Sequence, residues 1–203
     1  MTVRERPKLL SSSPSAINNP STELRINFDL SWTSHQTISA TEQERWVNHL
    51  RFENILQYVH LPNLILEDGG EPLISDFSEN EQIIDLSALK GSVDALKVLD
   101  WLRRRGMGKG CNRRILEVTV EDDEDSPHSD EAIELALKDL EVEKLDWRRL
   151  DLCSDVIPQT VTEVYLYSSG NNAVLRGWSS ENGLARLKKV KRPQMTWLYG
   201  NRR

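Results

Sequence analysis

The residues best equipped for chemistry are Gly106-Met107-Gly108-Lys109-Gly110, the acidic run Glu121-Asp122-Asp123-Glu124-Asp125, four histidines and two cysteines. Bare glycine amides beside a lysine suit a phosphate, but a nucleotide-binding loop follows a strand and opens a helix. Here the glycines end a helical pattern and precede a strand pattern, and Lys109 is followed by Gly110 instead of Ser or Thr. A helix-to-strand turn is the expected role. The acidic run has the carboxylates for calcium or magnesium yet lacks the D-x-[DN]-x-[DN]-G order of a calcium loop. It reads as a solvated acidic loop beside the positive N-terminus of the next helix. His49 and His60 stand too far apart for a metal pair at i, i+4. His128 has the chemistry of a general base, but no Ser or Cys nucleophile with an orienting partner stands near it, so a capping or surface role is expected. Cys111 and Cys153 match neither a disulfide framework nor a zinc spacing and read as reduced thiols. No catalytic residue, metal ligand or cofactor is assigned.

The elements that would position these groups belong to a chain of 203 residues with 38% hydrophobic content, enough for one domain and its tails. A net charge of −6 favours a soluble protein over a nucleic-acid or membrane binder. Charge is uneven, however. Glu121 to Glu143 is acidic apart from Lys138, whereas the residues after Glu181 are basic, so the middle and the end could attract each other. No stretch has the ~20 apolar residues of a membrane helix, and the N-terminus lacks the apolar block of a secretory signal. A cytoplasmic location is expected.

Residues 1–23 are rich in Ser, Asn and Pro, too poor in apolar groups to offset ordering entropy, and are expected to be a disordered tail. Leu24 to Leu30 alternates as one strand would. Thr41-Glu42-Gln43-Glu44 matches a capping box and predicts a helix to about His60, with Trp46, Leu50 and Tyr58 on its apolar face. With the loop that follows, 24–76 reads as a helical N-terminal part. Ser78-Glu79-Asn80-Glu81 predicts a short helix through Leu86, and Ser92 caps another over Val93–Arg105. In the strand after Arg113, Leu116, Val118 and Val120 share one face. Ser126-Pro127 then opens a helix carrying Ile133, Ala136, Leu137 and Leu140.

Two later strands repeat: Val142-x-x-Leu145-x-Trp147 returns nineteen positions on as Val161-x-x-Val164-x-Leu166, and Ser169-x-Asn171 follows where leucine-rich-repeat turns place polar residues. Leu116 and Val118 lie 29 positions before Leu145 and Trp147. Parallel strands with right-handed crossovers are the implied geometry, and Leu116, Leu145 and Val164 would be equivalent inward positions. The fold class is therefore α/β: a helical N-terminal part followed by a small parallel sheet with leucine-rich-repeat-like spacing. An α/β module spans 77–190, and 191–203 is a basic tail.

HSDEAIELAL (128–137), EVEKLDWRRLDLCSDVI (141–157) and EVYLYSSGNNAVLRGWSSENGLARL (163–187) resemble the region upstream of the peptidase domain in fungal subtilisin-like serine proteases of the S8 class. The resemblance covers roughly Val93 to Val190 and implies an accessory module ahead of a catalytic domain. The family's catalytic signatures D-[ST]-G, H-G-[ST] and G-T-S-x are absent from this sequence, and Ser168-Ser169-Gly170 does not replace the last. The expected function is a non-catalytic accessory or protein-interaction module, its partner another protein or a peptidase domain, with no nucleic acid and no membrane. Two alternatives stand beside it: a truncated intracellular subtilisin-like endopeptidase, and a stand-alone leucine-rich-repeat-like scaffold. The candidate interaction surface is Tyr165, Tyr167, Asn171, Asn172, Arg176 and Trp178, although these aromatics also suit a core.

Overall fold

The computed structural model describes residues 26–31, 37–49, 56–67, 86–105 and 114–197. In chain order they form β1 (Ile26–Asp29), β2 (Thr37–Ile38), α1 (Ala40–His49), β3 (Leu56–Leu61), β4 (Ile65–Leu66), α2 (Asp94–Arg105), β5 (Arg114–Glu121), α3 (Asp130–Leu137), β6 (Glu141–Leu150), β7 (Glu163–Ser168), α4 (Asn172–Ser179) and β8 (Arg192–Trp197). Short 3-10 turns lie at Leu86–Ala88, Ser154–Val156 and Leu184–Arg186. Among the described residues no helix is long and apolar enough to cross a membrane. The tail 1–23, the Ser78 capping box and Gly106–Gly110 lie outside the described residues.

The fold is α/β. Its main sheet has six strands in the order β1-β3-β5-β6-β7-β8, all parallel. β2 and β4 make a separate parallel pair. Right-handed crossovers between parallel strands paired in chain order put their helices on one face of a sheet. Burial agrees. Phe28, Val59, Val118, Leu145 and Val164 are in lateral register, and all are buried. Leu61, Val120 and Trp147 make the next row on the same face. The row before is Leu56, Ile115 and Val142, with Val161 buried ahead of β7. Each strand thus presents the same spacing of buried residues: Leu56-x-x-Val59-x-Leu61, Ile115-x-x-Val118-x-Val120, Val142-x-x-Leu145-x-Trp147 and Val161-x-x-Val164-x-Leu166. Burying each such aliphatic side chain contributes about 1.5–3 kcal/mol.

Helices cover that face. Phe28 stacks edge-on against Trp46 of α1 at 5.7 Å between centroids and lies 6.0 Å from Trp101 of α2, so three rings fasten both helices to β1. α3 buries Ala132, Ile133, Ala136 and Leu137. Gln43 of α1 donates to the carbonyls of Ile38 in β2 and of Glu67 just after β4, tying α1 to the small pair.

Several boundaries differ from the sequence reading. The helix expected from Thr41 to His60 is α1 alone, and Leu56–Leu61 is a strand inside the main sheet. A short apolar run such as Leu56-Gln57-Tyr58-Val59 fits helical and extended periods alike, and two parallel neighbours decide the matter. The capping box is Ser39 with Glu42, not Thr41 with Glu44: Ser39 Oγ accepts from the Glu42 amide and Glu42 Oε2 accepts from the Ser39 amide. The N-cap of α3 is Ser129, whose Oγ accepts from the Ala132 amide, and not Ser126. Leu145 pairs with Val118, 27 positions earlier, so Leu116 is half-buried and outside the row assigned to it. The 24–76 segment supplies β1 and β3 to the sheet, and the basic segment after Lys191 supplies β8, so the sheet crosses the boundaries drawn from sequence.

Candidate interaction face

The buried rows occupy one side of each strand, so alternation turns the intervening residues to the other side. In lateral register these are Asn27, Tyr58, Glu117, Lys144 and Glu163, then Asp29, His60, Thr119, Asp146, Tyr165 and Gln194, then Glu121 with Arg148 and Tyr167 with Thr196. Among the described residues no helix packs on this side. It is a polar face interleaved with tyrosines, in which Thr119 and Asp146 are buried beneath their neighbours.

Its side chains hold one another in place. Lys144 Nζ lies 2.9 Å from Glu117 Oε1 and 5.3 Å from the centroid of the Tyr165 ring. Tyr165 donates its hydroxyl to Glu163 at 2.7 Å, and Gln194 Nε2 donates to the same carboxylate at 3.2 Å. Arg148 bridges Glu121 at 2.6 Å and Asp146 at 3.3 Å, while Tyr167 donates to the other oxygen of Asp146 at 2.7 Å. His60 sits between Asp29 at 3.5 Å and Glu121 at 3.4 Å, its ring 5.9 Å from that of Tyr58.

These contacts set the charge of the face. Burial, then the hydrogen bond to Asp146 and its charge, push the Tyr167 phenol up to about 12. The Tyr165 phenol is raised chiefly by its hydrogen bond to Glu163, and Tyr58 chiefly by burial. The hydrogen bond to Glu117 raises the Lys144 ammonium, against the opposing effect of desolvation. At neutral pH the phenols of the face are therefore neutral and Lys144 and Arg148 cationic.

Of the six residues expected to form a surface, Tyr165 and Tyr167 lie on this face. Trp178 does not. It is buried on the helical side, where its Nε1 donates to the Leu152 carbonyl at 2.8 Å, and it leaves the surface set because an indole this deep is core. Asn171 caps α4, its Oδ1 accepting from the Ala173 amide, with Asn172 and Arg176 exposed on that helix. Tyr58, His60, Lys144, Asp146, Arg148 and Gln194 were missed. Period-two alternation in β3 and β6 was the available signal, hidden in β3 by the helix assignment.

A second cluster looks catalytic and is sealed. His128 Nδ1 meets Asp122 Oδ1 at 2.7 Å, the pairing a triad uses, but Nε2 accepts from the Ala95 amide at 3.2 Å in the first turn of α2. Both ring nitrogens are thus engaged and the ring is buried. Asp122 Oδ2 also accepts from Trp147 Nε1 at 2.9 Å. Burial alone would raise the Asp122 carboxyl; the hydrogen bonds from the His128 ring, the Trp147 indole and the His128 amide hold it below the usual range. Asp122 therefore departs from the solvated acidic loop expected of its run. Ser168 is also buried, its Oγ accepting from the Gly170 amide. No protein-family profile, curated protein or solved structure matches the chain.

Proposed function

We propose that this chain is a non-catalytic protein-interaction module whose working surface is the uncovered side of the main sheet. The observation that carries this reading is the division of the six strands: one side is a continuous apolar core under helices, the other a lattice of tyrosines and ion-paired side chains free of any described helix. A sheet side that served stability alone would need no such placement of Tyr58, Tyr165 and Tyr167, and tyrosine is favoured at interfaces because a rigid ring combines apolar area with one hydrogen bond.

The recurring buried spacing and the chain-order parallel strands support the finer reading of a leucine-rich-repeat-like scaffold, in which each strand and its return form one stacked unit. An accessory role of the kind implied by the resemblance to fungal subtilisin-like proteins fits such a scaffold, with a peptidase domain or another protein as the partner. The sealed Asp122–His128 pair suits this reading better than catalysis.

The test is site-specific photocrosslinking with benzoylphenylalanine at position 165, and as control at position 134 on the exposed side of α3, in the native cell. Discrete adducts at 165 and none at 134 are expected. No adduct at 165, or the same adducts at both positions, would overturn the reading.

A further inference from the structure

We propose that the open sheet face docks a cationic, extended peptide segment, its Lys or Arg groups seated between the face's carboxylates and its tyrosine rings. This deepens the reading of that face as an interaction surface and rests on it. The first argument is charge. Among the described side chains, Asp29, Glu117, Glu121, Asp146 and Glu163 outnumber Lys144 and Arg148 there. The phenols add no charge near neutral pH, since those of Tyr58, Tyr165 and Tyr167 are all raised. A face of net negative sign selects partners of the opposite sign and steers their approach.

The second argument is that the face already displays the recognition geometry with its own side chains. Lys144 sits against the Glu117 carboxylate and over the Tyr165 ring, which is the double contact an incoming ammonium or guanidinium would seek. Arg148 lies between two carboxylates. At the flanks, Glu163 accepts from Tyr165 and Gln194, and His60 stands between Asp29 and Glu121. Glu163 is held by these neutral donors and keeps its attraction for an added cation. An extended segment suits the surface because parallel strands offer rows of side chains at a spacing of about 4.8 Å.

The experiment is fluorescence anisotropy with a labelled twelve-residue peptide of Arg, Lys, Gly and Ser, its counterpart with Glu in place of the cations, and three forms of the full chain. Wild type should bind the basic peptide, more weakly as salt rises, and ignore the acidic one. The double variant Glu117→Gln/Glu163→Gln should bind about tenfold more weakly, which corresponds to about 1.4 kcal/mol. Glu124→Gln/Glu134→Gln removes the same charge from exposed positions off the sheet and should change affinity by less than about twofold, as expected for distant, screened charges. Equal weakening of both variants would show that the peptide follows overall acidity and would overturn the proposal, as would failure of wild type to bind. Photocrosslinking at position 165 that persists while the basic peptide does not bind would overturn the cationic partner and leave the interaction face standing.

Discussion

Asp122 and His128 form a clasp: one carboxylate oxygen accepts both the ring Nδ1–H, at 2.7 Å, and the backbone amide of the same histidine, at 3.1 Å. With Trp147 on the second oxygen and Ala95 on the far ring nitrogen, the pair ties the loop after β5 to β6 and to the start of α2.

Asp122→Asn places an amide donor against either the histidine or the indole N–H. At neutral pH it should lose about 2–4 kcal/mol, the cost of a buried polar group left without its partner. The folded carboxyl is held below its ordinary value, so its contribution is fully present above about pH 4, the unfolded value, and is lost as pH falls through the folded one. Urea titrations of both proteins should therefore differ widely at pH 7 and converge as pH falls below about 4. A constant gap across that range would mean that ionised Asp122 does not stabilise the fold.

Leu145→Ala should cost about 2–5 kcal/mol, as for a fully enclosed leucine, because Leu145 is 0% exposed at the centre of its row. Leu116→Ala should cost distinctly less, since that side chain is half-buried and Val118 holds the place in register. Equal losses would contradict the 27-residue register between β5 and β6.

Two glycines separate backbone strain from collision. Gly91 has φ +75°, and a Cβ there would come within 1.9 Å of the Pro127 carbonyl oxygen; Gly170 has φ +85° with open space around it. Gly170→Ala should cost about 1 kcal/mol, the penalty of the left-handed region alone. Gly91→Ala should cost well above that and loosen the contact where the Ser92 amide donates to the Ser126 carbonyl. Thermal melts of the two variants make the comparison.

Trp178→Phe keeps most of the ring volume and removes the hydrogen bond to the Leu152 carbonyl, and should destabilise by about 1–3 kcal/mol. The same variant should bind the basic peptide as wild type does, because Trp178 lies on the helical side. A loss of binding without loss of stability would move Trp178 back into the interaction surface.

The sequence showed most clearly those strands whose burial leaves one pattern standing. Val142, Leu145 and Trp147 recur as Val161, Val164 and Leu166, and the apolar spacing of α3 reads directly. β3 was lost because its neighbours in the sheet come from distant segments, and nothing local distinguishes Tyr58-Val59 in a strand from Tyr58-Val59 on a helix. β8 was lost for the opposite reason: Arg192-Pro193-Gln194-Met195 has weak strand propensity and is extended because β7 offers it a ladder. Asp122 was hidden among like residues. Which acid of Glu121–Asp125 turns inward depends on where His128 and Trp147 arrive, and both positions are tertiary.

Strand order carries one more consequence. Because β1, β3, β5, β6, β7 and β8 lie side by side in the order in which the chain makes them, each strand's ladder partners among the described residues are its neighbours in that order. Couplings of this kind add up along a line, as in a one-dimensional nearest-neighbour chain, so damage to one strand weakens its two borders before it reaches the rest. Tension applied through the first and last strands would peel the sheet open from its edges, one ladder at a time, with Trp147 and Leu145 in the interior as the rungs slowest to yield.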